Sequence, residues 1–118
     1  MVQEIDWLDA CRRMAARQAD LFASTRGIAA RTRYEGRGEG GDMTLRIDRQ
    51  CEDIVFEELE RIVARGVSLA AVSEERGEVL LGGGPAAHRV VIDPIDGSMN
   101  ARRTIPSHSL SVAVADGA

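Results

Sequence analysis

The sequence predicts an α+β domain with helices layered on a sheet. Two segments, near residues 4–31 and 49–65, carry apolar residues at helical spacing. Three short segments, near residues 67–72, 89–93 and 110–114, read as strands. Helices and sheets each hide one face, so this mixture is expected to pack in layers.

The first helix follows from Trp7, Cys11, Met14, Leu21 and Ile28 near one stripe, widened by Ile5, Leu8, Ala15 and Phe22. Arg, Gln and Asp fill the opposite face. The glycine-rich run "RYEGRGEGGD", Arg33 to Asp42, reads as a mobile loop. Met43, Leu45 and Ile47 then alternate with Thr44 and Arg46, as in a short strand or extended lead-in, and Asp48 stands where a helix N-cap would. The second helix, Arg49 to Arg65, buries Cys51, Ile54, Val55, Leu59, Ile62 and Val63; Glu57, Glu58, Glu60 and Arg61 are assigned to water.

"VSLAAVSEE" reads as a buried strand, Val67 to Val72, running into Ser73, Glu74 and Glu75. "RGEVLLGGGPAAH" reads as a second loop. "RVVID" is a short apolar strand ending at Asp93. Leu110, Val112 and Val114 alternate as a half-buried strand.

Composition narrows the function classes. The chain has 118 residues, enough for one small domain with a core. A net charge of −4 without a basic, aromatic-rich patch argues against a nucleic-acid polymer as partner. No apolar run approaches the ~20 residues of a membrane helix. The N-terminus "MVQEIDWLDACRR" lacks a signal pattern, so a cytoplasmic location is the expectation. Cys11 and Cys51 stand apart from each other and from histidine, so both read as thiols on apolar helix faces. His88 and His108 have no companions at ligand spacing.

Chemistry concentrates in "VIDPIDGSMN", residues 91–100. Two apolar strands end in acids, Glu74 and Asp93, and strand ends are where mixed α/β proteins keep their sites. Gathered carboxylates repel one another and resist ionisation unless a cation joins them. Hard oxygen donors select magnesium, calcium or manganese. An EF-hand fails on spacing, because its third and twelfth positions counted from Asp93 are Ile95 and Thr104. A D-x-D-G nucleophile motif fails too, because two residues separate Asp93 from Asp96. No lysine follows a glycine loop, which removes a Walker phosphate site.

The remaining pattern, D-P-I-D-G-S-x-N, resembles the signature of the inositol monophosphatase and fructose-1,6-bisphosphatase superfamily, the magnesium-dependent, lithium-sensitive sugar phosphatases. "GDMTLRIDRQCED", "VSEE" and "IPSHSLSVAVADG" resemble further family segments in the same order, covering about residues 36–117. The resemblance implies a mixed, mainly antiparallel sheet. It implies that Glu74, Asp93, the Ile95 backbone carbonyl and Asp96 ligate magnesium, two or three ions serving a full-length enzyme. Ser98, where the family usually has threonine, would pair with Asp48 and help activate the attacking water. The catalytic residues so implied are Asp48, Glu74 and Ser98. The Gly97 and Ser98 amides would face the substrate phosphate near a helix N-terminus. Pro94 would stiffen the turn and Gly97 would let backbone approach the phosphate. A two-metal site, its ions about 3.5–4 Å apart, would lower the pKa of water and stabilise the leaving oxygen. Glu75 reads as a neighbouring surface acid.

The expected activity is phosphomonoester hydrolysis of a small phosphorylated sugar or polyol, inositol monophosphate or fructose-1,6-bisphosphate, in a protein free to form a homodimer. Family members are about twice as long, and their W-D-x-A-x-G segment has no match here. Residues 1–118 are therefore expected to be an N-terminal α+β metal-binding part, with the C-terminal half absent. Two alternatives stand beside the enzyme: a non-catalytic metal- or phosphate-binding fragment, and a nucleotide 3′-phosphatase of the same superfamily.

Overall fold

The computed structural model describes residues 4–35, 39–96 and 109–117. Two helices, α1 (Trp7–Glu35) and α2 (Glu39–Val63), precede four strands: β1 (Leu69–Ser73), β2 (Gly77–Leu81), β3 (His88–Asp96) and β4 (Ser109–Asp116). The sheet order is β2-β1-β3-β4. β1 pairs antiparallel with β2 and parallel with β3, and β3 pairs antiparallel with β4. The sheet is mixed and mainly antiparallel, and the α+β expectation holds.

The Asp6 side chain accepts the Asp9 N–H at 2.9 Å, an N-cap that sets the start of α1 at Trp7. The core forms where α1 and α2 meet the sheet. Met14, Val55, Leu59, Leu69 and Val90 are among its fully buried side chains, each contributing roughly 1.5–3 kcal/mol of apolar burial. Strand alternation places Leu69, Ala71 and Ser73 on one face with Val90 and Ile92. On the other face Val91 and Leu80 are exposed. In β4, Leu110 and Val112 are half-buried as the alternation requires, whereas Val114 is exposed.

Several local expectations are corrected. The run read as a loop is largely helical: residues 33–35 close α1, residues 39–42 open α2, and only 36–38 lie outside the described residues. Residues 43–47 are helix rather than strand, and Asp48 lies inside α2 rather than at its cap. Met43, Ile47, Cys51, Val55 and Leu59 recur every four residues, so the short alternation belongs to a longer helical period. Glycine costs a helix interior about 1 kcal/mol relative to alanine without forbidding it.

The segment 76–88 contains a strand, β2, which closes a hairpin on β1. Its three-residue loop, Glu74–Arg76, ends at Gly77, whose φ of 67° is the left-handed conformation such loops demand. Gly82 lets the chain pass close to Ser68; a Cβ there would stand 2.5 Å from the Ser68 hydroxyl.

Glu58 and Gln18, both assigned to polar faces, are buried at 1% and 5% exposure. Glu58 stands three residues after Val55 and four before Ile62, so the helical period carries it toward α1. There Arg13 Nε reaches it at 3.0 Å and an Arg17 guanidinium nitrogen at 3.1 Å, with Arg61 at 3.7 Å. Burial alone would raise the Glu58 pKa, but hydrogen bonds from Arg13 and Arg17 and the charges of Arg61 and Arg13 outweigh it and hold the carboxyl below its usual value.

A depressed folded-state pKa adds stability above the unfolded glutamate value, ~4.3, and loses it as pH falls through the folded value. Denaturant melts of wild type should weaken across that acid range, and Glu58→Gln should flatten the dependence. Near neutrality the variant should lose about 1–3 kcal/mol, less than a fully buried pair because Arg13 and Arg17 reach solvent. A variant with the wild-type acid profile would show that Glu58 does not link pH to folding.

Candidate metal and phosphate site

The parallel pairing of β1 with β3 sets the site. Their register places Ser73 opposite Ile92. The next residues are Glu74, just beyond the end of β1, and Asp93, which lies within β3, so the register extended by one residue brings the two acids to the same level of neighbouring strands. Neighbouring strands lie about 4.8 Å apart, a span that one hard cation bridges with oxygen ligands at about 2.1–2.5 Å. Glu74 is exposed in the hairpin loop, and Asp93 is half-buried. Among the described residues neither is held in an ion pair. This all-oxygen pair fits a magnesium-like cation and not a thiolate-seeking one.

Glu74 sits in a loop fixed at both ends. Buried Ser73 accepts the Arg76 N–H on its hydroxyl at 3.2 Å. The Arg76 guanidinium binds Glu52 at 2.6 Å, reaches Asp53, and lies 4.2 Å from the centre of the Phe56 ring. Arg76 is thereby committed to α2 and leaves Glu74 and Asp93 to other partners. No short-range spacing signals this clamp, because Arg76 and its partners are brought together by hairpin and helix packing.

β3 continues past Asp93 through buried Pro94 to Asp96, and its pairing with β4 shifts between Asp93 and Asp96. Proline has no N–H for a ladder, so the irregularity falls where the sequence requires it. The backbone places Ile95 and Asp96 in β3, with Asp96 opposite Ser109; their side chains, and the whole of Gly97 and Ser98, lie outside the described residues. The proposed pairing of Ser98 with Asp48 lies outside them too. Among the described residues no three His, Cys, Asp or Glu side chains converge, and the Asp96 side chain lies outside them.

Asp48 is half-buried one helical turn before Glu52 on α2. Burial pushes the Cys51 thiol up to about 12, with the Asp48 charge adding to the rise, so Cys51 is no nucleophile at neutral pH. Burial also raises the Cys11 pKa. His88 packs edge-on against Trp7, ring centres 5.7 Å apart. His108 lies outside the described residues. Glu75 is exposed beside Glu74. A cavity lined by Glu4, Asp9, Arg13 and Arg65 lies by Val67, toward the opposite end of β1 from Glu74. Among the described residues no helix is long and apolar enough to cross a membrane.

Two helices packed on a four-stranded mixed sheet of order β2-β1-β3-β4 define the fold. The suhB extragenic suppressor protein of Bartonella henselae shares that fold, at a TM-score of 0.66 and 22% identity over 96% of this chain and 40% of its own. A fructose-1,6-bisphosphatase/inositol-1-monophosphatase of Thermococcus kodakarensis is 32% identical over 97% of this chain. A bifunctional NADP phosphatase/NAD kinase of Methanococcus maripaludis is 32% identical over 65% of it. No protein-family model matches the chain. The chain belongs to the inositol monophosphatase and fructose-1,6-bisphosphatase superfamily and corresponds to the N-terminal portion of its members. It spans 41% of the Thermococcus protein and 13% of the Methanococcus one.

Arg76→Ala should lower stability by about 2–4 kcal/mol in thermal or denaturant melts, because it leaves buried Glu52 without its cation. Arg76→Lys should recover only part of the loss, since an ammonium cannot span two carboxylates and stack on Phe56 as a guanidinium does. Full recovery by lysine would show that charge alone holds the loop.

Proposed function

We propose that this chain is the cation-binding part of a phosphomonoesterase acting on a small phosphorylated sugar or polyol, inositol monophosphate or fructose-1,6-bisphosphate, in the cytoplasm. The observation that carries the reading is the β1–β3 register, which extended by one residue sets Glu74, just after β1, level with Asp93 of β3, followed at once by Pro94–Ile95–Asp96–Gly97–Ser98. Glu74, Asp93, Asp96 and the Ile95 carbonyl hold magnesium. The cation supplies positive charge against the phosphoryl oxygens and eases ionisation of water. The Gly97 and Ser98 amides receive the phosphate, and the Ser98 hydroxyl, paired with Asp48, orients the attacking water. The rest of the active site comes from the part of the relatives' length that this chain does not span.

Two other readings have their own support. The sequence similarity to an NADP phosphatase favours a phosphorylated nucleotide as substrate. The chain's span of 41% of the Thermococcus relative supports a non-catalytic cation- or phosphate-binding unit. Phosphate release should be measured with inositol monophosphate, fructose-1,6-bisphosphate and NADP, with magnesium and with chelator. The chain alone is compared with a version extended to the relatives' length. Hydrolysis only with magnesium, and only by the longer protein, fits the first reading. No hydrolysis by either supports the non-catalytic one.

Glu74→Gln should weaken magnesium binding about 10-fold or more in a calorimetric titration, as it removes a charged ligand while keeping shape. Glu75→Gln should leave it unchanged. Equal effects would remove the distinction between the two acids.

In the longer protein Ser98→Thr should retain activity, and Ser98→Ala should lower turnover about 10²-fold, the scale for a positioned acid–base group. Asp48→Asn should match Ser98→Ala, and the double variant should be little worse than either, because groups acting as one unit are not additive. Multiplying losses would assign Asp48 a separate role.

A further inference from the structure

Among the described residues of α1, Gln18 is the buried polar one, and its side chain reaches the proposed site from the far end of the chain. Its Nε2 donates a hydrogen bond to the Pro94 carbonyl at 2.6 Å, across 76 residues of sequence. The neighbouring core positions of α1, Ala10, Met14 and Leu21, are apolar. A leucine or methionine at position 18 would suit the same packing and make no such bond.

The accepting carbonyl stands at the hinge of the motif. Asp93 and Asp96 are separated by Pro94 and Ile95 alone, in the stretch where the β3–β4 register shifts. Regular ladder pairing does not fix the backbone there. The proline ring fixes φ at Pro94, leaving ψ as its free rotation. Rotation about ψ swings the Pro94 carbonyl and, with it, the chain from Ile95 onward. A hydrogen bond to that oxygen holds ψ. The ring and the Gln18 amide together lock both backbone torsions of Pro94.

We propose that Gln18 is a positioning residue. By anchoring the Pro94 carbonyl to α1, it fixes the placement of Asp96 and the Ile95 carbonyl relative to Asp93, and so tunes divalent-cation affinity. This rests on the reading that those groups hold a cation. Gln18 touches neither cation nor substrate, and it acts through the backbone it holds.

The test is Mn2+ binding to the full 118-residue chain, followed calorimetrically well below the melting temperature, for wild type, Asp93→Asn, Gln18→Met and Gln18→His. Gln18→Met keeps size and deletes the donor; Gln18→His restores one. Gln18→Met should bind Mn2+ about 10-fold more weakly, in the range for losing a residue that orients ligands, and Gln18→His should regain part of it. A residue that only packed the core would lower the melting temperature and leave the affinity of the folded protein unchanged, which overturns the proposal. If Asp93→Asn abolishes binding while Gln18→Met does not weaken it, the proposal alone falls. If wild type does not bind Mn2+, or Asp93→Asn leaves binding intact, the cation reading falls and takes the proposal with it. Should Gln18→Met not fold, NMR of wild type decides. The Gln18 side-chain amide and the Pro94 carbonyl carbon should shift together on Mg2+ titration, and an amide unmoved at saturation overturns the proposal.

Discussion

The parallel pairing of β1 with β3 is the constraint on which the rest of the molecule depends. It is the one parallel pairing in the sheet among the described residues, and it aligns Ser73 with Ile92. Extended by one residue, that register brings Glu74, the residue after β1, to the level of Asp93 within β3. A slip of one residue would turn every side chain of β3 over, sending Val90 and Ile92 to the face where Val91 is exposed. Burial of these two residues thus guards the register, and the register guards the juxtaposition of the acids.

The helical layer serves the same edge of the sheet. α2 receives Arg76 on Glu52 and Asp53, which steadies the hairpin loop bearing Glu74. α1 reaches the Pro94 carbonyl through Gln18. The two helices are joined to each other by Glu58 and its arginines as well as by apolar contact. A buried carboxylate adds little net stability over an apolar residue of similar size, yet removing one partner of such a set is costly. The arrangement therefore serves alignment of α1 against α2 more than it adds to stability.

Membership of the inositol monophosphatase and fructose-1,6-bisphosphatase superfamily accounts for the order of these features along the chain. Residues 1–118 carry the first layers and the first acids. The chain spans 41% of the Thermococcus relative's length.

Much of this was legible in local pattern. Apolar spacing identified α1, the later part of α2, β1, β3 and β4, because helical and strand periods are written within a few residues. The spacing of Asp93 and Asp96 around Pro94, and the acid after "LAAVS", identified the candidate donors, because ligand chemistry belongs to residue type. The tertiary structure decided which of these groups meet. It moved residues 39–48 from loop, strand and cap into one helix, since a short alternation and a helical stripe share residues. It exposed β2 as a strand, which only its pairing with β1 makes evident. It buried Glu58 and Gln18, whose polarity suggested water, because partners 45 and 76 residues away satisfy them. Spacing encodes which face a residue takes on its own element; the packing of distant elements determines what that face will touch.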